Sequence, residues 1–192
     1  MVRKIRNLLV GLLAGVLLIC PVFAANPFPD VDAAAPYAEA AEAMKELGIM
    51  VGDEKGNFNP NKTVTRAEMA AIVCRMLGET VDLTTADTFV DVPISHWANG
   101  YIAKAASSGI IGGYGDGRFG PSDAVTYEQA ITMLVRFLDY EYEAKSAGGY
   151  PDGYIMIAQD LGLLEGINVK NGVALDRGNV AIIIYNCYHS YV

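Results

Sequence analysis

The sequence predicts an all-α fold of repeated helix–loop–helix units, on three observations. A stretch of about fifty residues recurs without a gap at an offset of 61 residues. Each copy carries two apolar stripes at helical spacing, and helix start and stop signals bracket those stripes. In the repeat, Phe28-Pro29-Asp30-Val31 returns as Phe89-Val90-Asp91-Val92, and Gly48-Ile49 returns as Gly109-Ile110. Gly52, Gly56, Phe58 and Pro60 return as Gly113, Gly117, Phe119 and Pro121. Each copy is then one supersecondary unit that completes its core against its neighbours.

The opening Phe-x-Asp segment of each copy reads as a short extended or turn stretch. In copy one a first helix follows from Tyr37 to Leu47, with Tyr37, Ala40, Ala41, Met44 and Leu47 on one face. Pro36 suits a helix start, where its missing N–H costs nothing. In copy two the same helix runs from about Trp97 to Ser108. Gly48 and Gly109 fall just past the last turn, where a left-handed cap favours glycine. A loop follows, at 52–62 and 113–123, rich in Gly, Asn, Asp and Pro around one aromatic, Phe58 or Phe119. It lacks the alternating oxygen ligands of a calcium loop, so Phe reads as the anchor of a tight turn.

The second helix opens at Thr65-Arg66-Ala67-Glu68, a capping box in which Thr65 and Glu68 satisfy each other's backbone N–H. Thr126 and Gln129 repeat it. Met69, Ile72, Val73, Met76 and Leu77 follow in copy one, and Ile131, Leu134, Val135 and Leu138 in copy two. A shorter third copy is read at 150–188. Tyr150-Pro151-Asp152 lies 61 residues after Phe89-Val90-Asp91, Gly162-Leu163 lies 53 after Gly109-Ile110, and Asp176-Arg177-Gly178-Asn179 lies 50 after Thr126-Tyr127-Glu128-Gln129. Asp176 is its expected cap, and Val180, Ile183 and Ile184 its core face. The units are therefore 28–78, 89–139 and 150–188.

Residues 1–24 read as an export signal: Arg3, Lys4 and Arg6, then an apolar run from Leu8 to Ile19, then Val22-Phe23-Ala24 before the expected cut. Twelve apolar residues are too few to span a bilayer. Without the signal's three basic residues the mature chain has 11 Lys and Arg against 22 Asp and Glu. That acidity argues against nucleic acid as a partner and against charge-driven membrane binding after signal cleavage. Cys74 and Cys187 sit in apolar helical stretches and read as buried thiols, with a bridge between copies as the alternative. No His and Cys spacing suits a metal, no cofactor motif is present, and His96 and His189 form no catalytic grouping, so no enzyme is expected.

Arg66 is the residue the capping box does not need. A cation in the first turn faces the positive end of the helix dipole, which is unfavourable by roughly 0.3–1 kcal/mol. Three placements compete. Arg66 pairs with a neighbouring copy's Asp30, Asp91 or Asp152; or it is solvated; or it binds an anion together with the helix-start N–H groups. Because it lies outside the box, its removal is expected to leave folding intact.

Thr65-Arg66-Ala67-Glu68, the Phe-x-Asp-Val openings, His96-Trp97-Ala98, the Gly-Ile turns and the loop Gly113-Tyr114-Gly115-Asp116-Gly117-Arg118-Phe119-Gly120-Pro121 together resemble S-layer homology repeats. The resemblance covers residues 28 to about 188. It implies three repeats in a pseudo-threefold arrangement with grooves between them. It implies noncovalent anchoring to the bacterial cell wall, through an anionic and in many cases pyruvylated secondary wall polysaccharide or a modified peptidoglycan. The chain would then be secreted and held at the cell surface or S-layer. Carried over by position, the ligand-binding residues are Arg66, Arg177, Trp97, Asp30, Asp91 and Asp152. Copy two has Tyr127 in place of the motif arginine. Trp97 reads either as a stacking face for a sugar ring or as a buried core residue. The alternative function is an assembly module of the surface layer with no dedicated glycan site. The sequence sets no oligomeric state.

Overall fold

The computed structural model describes residues 28–78, 81 and 88–190. The export signal read over 1–24 lies outside them. Seven α-helices are present among the described residues: α1 Ala38–Glu46, α2 Arg66–Met76, α3 Asn99–Ser107, α4 Tyr127–Phe137, α5 Glu141–Ser146, α6 Asp152–Asp160 and α7 Arg177–His189. The expected all-α class holds, and the β component is limited to isolated bridges.

The apolar stripes become the core. Ala40, Ala41 and Met44 of α1 are buried, as are Met69, Ile72, Val73 and Met76 of α2, Ile131, Leu134 and Val135 of α4, and Val180, Ile183 and Ile184 of α7. One continuous apolar cluster runs through all three copies. Each fully buried large side chain contributes about 1.5–3 kcal/mol, so no copy holds its helices alone. Gly48 and Gly109 end their helices with φ of 68° and 74°, the left-handed cap that a β-carbon would strain. Phe58 and Phe119 are fully buried, packing on Phe28 and Phe89 at ring separations of 5.0 and 5.3 Å.

Helix packing closes a circuit. The second helix of each copy lies on the first helix of the next: α2 on α3, α4 on α6, and α7 on α1. The residues just before these second helices meet at the centre. Val125 N–H donates to Val64 O at 2.9 Å, Leu175 N–H to Val125 O at 3.0 Å, and Val64 N–H to Leu175 O at 2.9 Å. Three short segments thus satisfy one another's backbone groups in a ring, where a buried unpaired N–H would be costly.

The caps form as the sequence implies in copies one and three. Thr65 Oγ1 accepts from Glu68 N–H at 3.1 Å, and Glu68 Oε2 accepts from Thr65 N–H at 2.8 Å. Asp176 Oδ1 accepts from Asn179 N–H at 2.8 Å. In copy two Gln129 Oε1 accepts from Thr126 N–H at a longer 3.4 Å, because it also accepts from Arg66.

Copy three departs most. α5, which no periodicity announced, packs on α6 and α4 in place of the opening segment. Gly153 permits this, since a β-carbon there would sit 2.1 Å from Ala144 O. Asp152 is consequently not an opening residue but an exposed one in the first turn of α6, a placement the helix dipole favours. Cys74 and Cys187 are buried free thiols, so the alternative of a bridge is not realised. Burial pushes the Cys187 thiol pKa up to about 12. Among the described residues, no helix is long and apolar enough to cross a membrane.

Candidate ligand-binding grooves

The second-helix starts of copies one and three aim an arginine across a seam. Arg66 N–H bonds to Asp123 O of copy two at 2.9 Å, which brings its side chain onto the copy-two loop. There Nε donates to Phe119 O at 2.8 Å, Nη2 to Gly112 O at 2.9 Å, and Nη1 to Gln129 Oε1 at 3.2 Å. The guanidinium lies over the rings of Tyr114 and Phe119, 4.7 and 4.6 Å from their centroids. Arg177 repeats the arrangement on the copy-one loop. Its Nε donates to Phe58 O at 2.6 Å, its Nη2 to Val51 O at 2.8 Å, and the Phe58 ring lies 4.8 Å beneath it.

None of the three placements considered for Arg66 describes this alone. Asp30 does not pair with an arginine; its two carboxylate oxygens accept from Phe58 and Asn59 N–H, both at 2.7 Å. Asp91 does the same for Phe119 and Gly120, both at 2.8 Å. Burial raises the Asp91 pKa, but these backbone bonds outweigh it and hold the group below the ordinary carboxylate range. The opening aspartates therefore shape the loop that receives the arginine. Nor is Arg66 solvated: it is 4% exposed. The expectation that it can be removed with folding intact is corrected, since its loss would leave loop carbonyls without donors.

The arginine still carries a charge that its partners do not cancel. Every acceptor of Arg66 and Arg177 is neutral, a carbonyl or an amide oxygen. Burial lowers the pKa of both, against the pull of more distant carboxylates. Beside Arg66 an open groove of about 270 Å³ is lined by Gly112, Tyr114, Gln129, Arg136 and Tyr150. Tyr114 and Tyr150, 44% and 57% exposed, are the aromatic residues at its rim, and Arg66 covers one face of the Tyr114 ring. The groove thus combines cations with aromatic faces, a combination suited to an anionic sugar.

Trp97 is 56% exposed, which removes the buried-core reading. It stacks on His96 at 5.9 Å and lies 6.4 Å from Tyr101, whose ring faces Arg75. It is not among the residues lining the Arg66 groove. The structure therefore brings Arg66 together with Tyr114, Tyr150 and Arg136, and leaves Trp97, Asp30, Asp91 and Asp152 elsewhere. Sequence reasoning passed over Arg136, although it repeats Arg75 at the offset of 61.

In copy two Tyr127 takes the arginine's place. Its N–H keeps the equivalent bond, to Val173 O at 2.9 Å, while its ring is buried at 7% exposure. Glu128 then reaches Gly172 N–H at 2.8 Å. The seam between copies two and three is closed by apolar burial and one carboxylate rather than by a guanidinium.

A family model described as S-layer homology domain matches residues 27–70 and 88–131, the first two copies. The fold is a repeat-built helical module, and the chain belongs to the S-layer homology domain family as an exported cell-surface protein. It is 36% identical over 165 residues to a cell surface protein of Thermoanaerobacter kivui, covering 84% of this chain and 21% of that protein. It is 34% identical over 146 residues to a surface layer protein of Brevibacillus choshinensis, 74% of this chain and 13% of that protein. A middle cell wall protein of Brevibacillus brevis is 32% identical over 161 residues, 82% of this chain and 15% of that protein. The chain spans about a fifth or less of these relatives.

Proposed function

We propose that the chain anchors noncovalently to the bacterial cell wall by holding an anionic secondary wall polysaccharide in the grooves between copies, with residues 150–188 acting as a third, shortened repeat of a pseudo-threefold unit. The observation that carries this is the Arg66 groove: a guanidinium with only neutral acceptors, in an open cleft rimmed by two tyrosines, on an acidic chain. An acidic protein retains a buried, uncompensated cation at a cost in desolvation, and an anion in the groove offsets that cost. A pyruvate ketal on an amino sugar fits, having one carboxylate for the guanidinium fork and a ring face for Tyr114 or Tyr150. Arg177 supplies the corresponding cation at the copy-one loop. No catalytic role is assigned to any group.

The test is co-sedimentation of the signal-free chain with purified wall sacculi, either intact or stripped of their secondary polymer. Pelleting with intact and not with stripped sacculi is expected. Equal pelleting with both redirects the reading to peptidoglycan. No pelleting with either leaves the assembly module. That alternative is favoured by one observation of its own, the three bonds by which Arg66 ties copy one to copy two.

A further inference from the structure

Arg75, Arg136 and Asn186 occupy the same place near the ends of α2, α4 and α7, at offsets of 61 and 50. Arg75 and Asn186 each reach a carbonyl in the loop after the first helix, whereas Arg136 pairs with Glu141. Arg75 Nη1 donates to Ile49 O at 3.1 Å, and Asn186 Nδ2 donates to Leu163 O at 3.1 Å and to Glu165 O at 2.8 Å. Asn186 therefore performs this task without a charge. A cation near a helix C-terminus is favourable by about 0.3–1 kcal/mol, but that holds for any helix end and does not single out two of the three.

What singles them out is the groove. Arg136 lines the same cleft as Arg66, and its Nη1 lies 3.9 Å from where a β-carbon on Gly112 would be, the residue whose carbonyl Arg66 holds. Arg75 and Arg177 likewise reach one loop, since Arg75 Nη1 holds Ile49 O at 3.1 Å and Arg177 Nη2 holds Val51 O, two residues on, at 2.8 Å. By copy, the arginines at these two positions follow no rule: copy one has Arg66 and Arg75, copy two Arg136 alone, copy three Arg177 alone. Paired across the seams, motif position with helix-end position of the next copy, they are all or none: Arg66 with Arg136, Arg177 with Arg75, and Tyr127 with Asn186. Like charges brought together repel in a medium of reduced dielectric, and an anion held between them relieves that repulsion.

We propose that Arg136 and Arg75 are second anion-contacting residues, each completing with the motif arginine of the preceding copy a two-guanidinium site for one anionic sugar group, and that the Tyr127–Asn186 seam takes none. This rests on the anionic-glycan reading above and says which residues hold the anion. In the Arg66 groove, Glu141 of α5 accepts from Arg136 Nε at 3.0 Å, which orients the guanidinium and leaves its Nη groups for the ligand. Glu141 is in turn shared with Lys145 at 3.2 Å, so the cluster keeps a net positive charge.

The test follows the arginine Nε–H resonances of the 15N-labelled signal-free chain during titration with glucuronate and, separately, with glucose 6-phosphate. The first probe carries a carboxylate and the second a phosphate, and the tighter of the two identifies the anion. Arg66 and Arg136 are expected to respond with one apparent affinity, and Arg177 and Arg75 with another. Arg136→Asn copies the residue that copy three already carries. It should weaken the Arg66 response about tenfold or more, the equivalent of one lost charge-assisted bond, and leave the Arg177 response unchanged as an internal control of folding. Arg75→Asn should do the reverse. An Arg66 response equal in wild type and Arg136→Asn overturns the proposal, as does the absence of any arginine response to either probe. Failure to sediment with sacculi, by contrast, would overturn the wall-anchoring function and leave the two-arginine site standing.

Discussion

The seam between copies one and two and the seam between copies two and three solve one problem by different means. In both, the residue after the second-helix cap donates its backbone N–H across the seam, Arg66 to Asp123 O and Tyr127 to Val173 O. In the first seam the side chain then holds two loop carbonyls and an amide, keeps its charge and borders an open groove. In the second it buries an aromatic ring. Shared backbone geometry with divergent side chains separates what closes the ring of copies from what a groove can bind. A tyrosine suffices for closure; the arginine adds a cation at the cost of desolvating it.

The largest expected effect that tests this contrast is Arg66→Ala. It leaves the buried Phe119 O without its donor, at about 1–3 kcal/mol, while the exposed Gly112 O can turn to water. A fall in melting temperature of about 5 °C follows for a chain of this size, measured by circular dichroism. An unchanged melting temperature would mean that the first seam is closed without the guanidinium, as the second is.

Acid is the next lever, and it bears on copies one and two. Asp91 is held below the ordinary carboxylate range, and Asp53 is lowered to about 2 by Asn59 and by the Asn57 and Lys55 backbone. Glu68 is also lowered, its bonds to Lys62 and Thr65 outweighing burial. Groups depressed in the folded state contribute stability above their unfolded values near pH 4 and lose it as pH falls toward the folded values. Stability should therefore be flat from pH 7 to 5 and fall between about pH 4 and 2. Amide exchange at pH 3 should show the loops at 52–62 and 113–123 opening before α6 and α7. Uniform opening would erase the distinction between the copies.

The smallest effect is that of Trp97→Ala. An exposed side chain away from caps and core changes stability by about 0.5 kcal/mol or less. Lying outside the Arg66 groove, Trp97 should leave anion binding there unchanged by calorimetry. A loss of affinity at that groove would show that the stacking surface extends beyond Tyr114 and Tyr150.

Much of this protein was determined by the sequence alone. The 61-residue offset, the spacing of three and four between apolar residues, the capping residues and the glycines after α1 and α3 are local signals. Local backbone sterics and hydrogen bonding suffice to turn them into helices and their ends. The charge balance and the repeat motif were equally legible, and with them the family. Tertiary structure decided what depends on contacts between copies. That Arg66 reaches Phe119 O, 53 residues away, follows from Arg66 N–H docking on Asp123 O, which no pattern within one copy encodes. That Asp30 and Asp91 serve their loops rather than an arginine is likewise a matter of which donors lie within 3 Å. α5 is too short to show a period, and only its packing on α6 and α4 gives it stability. The grouping of arginines by seam appears only when the chain closes into a ring, because each seam is built from two copies and no single copy contains one.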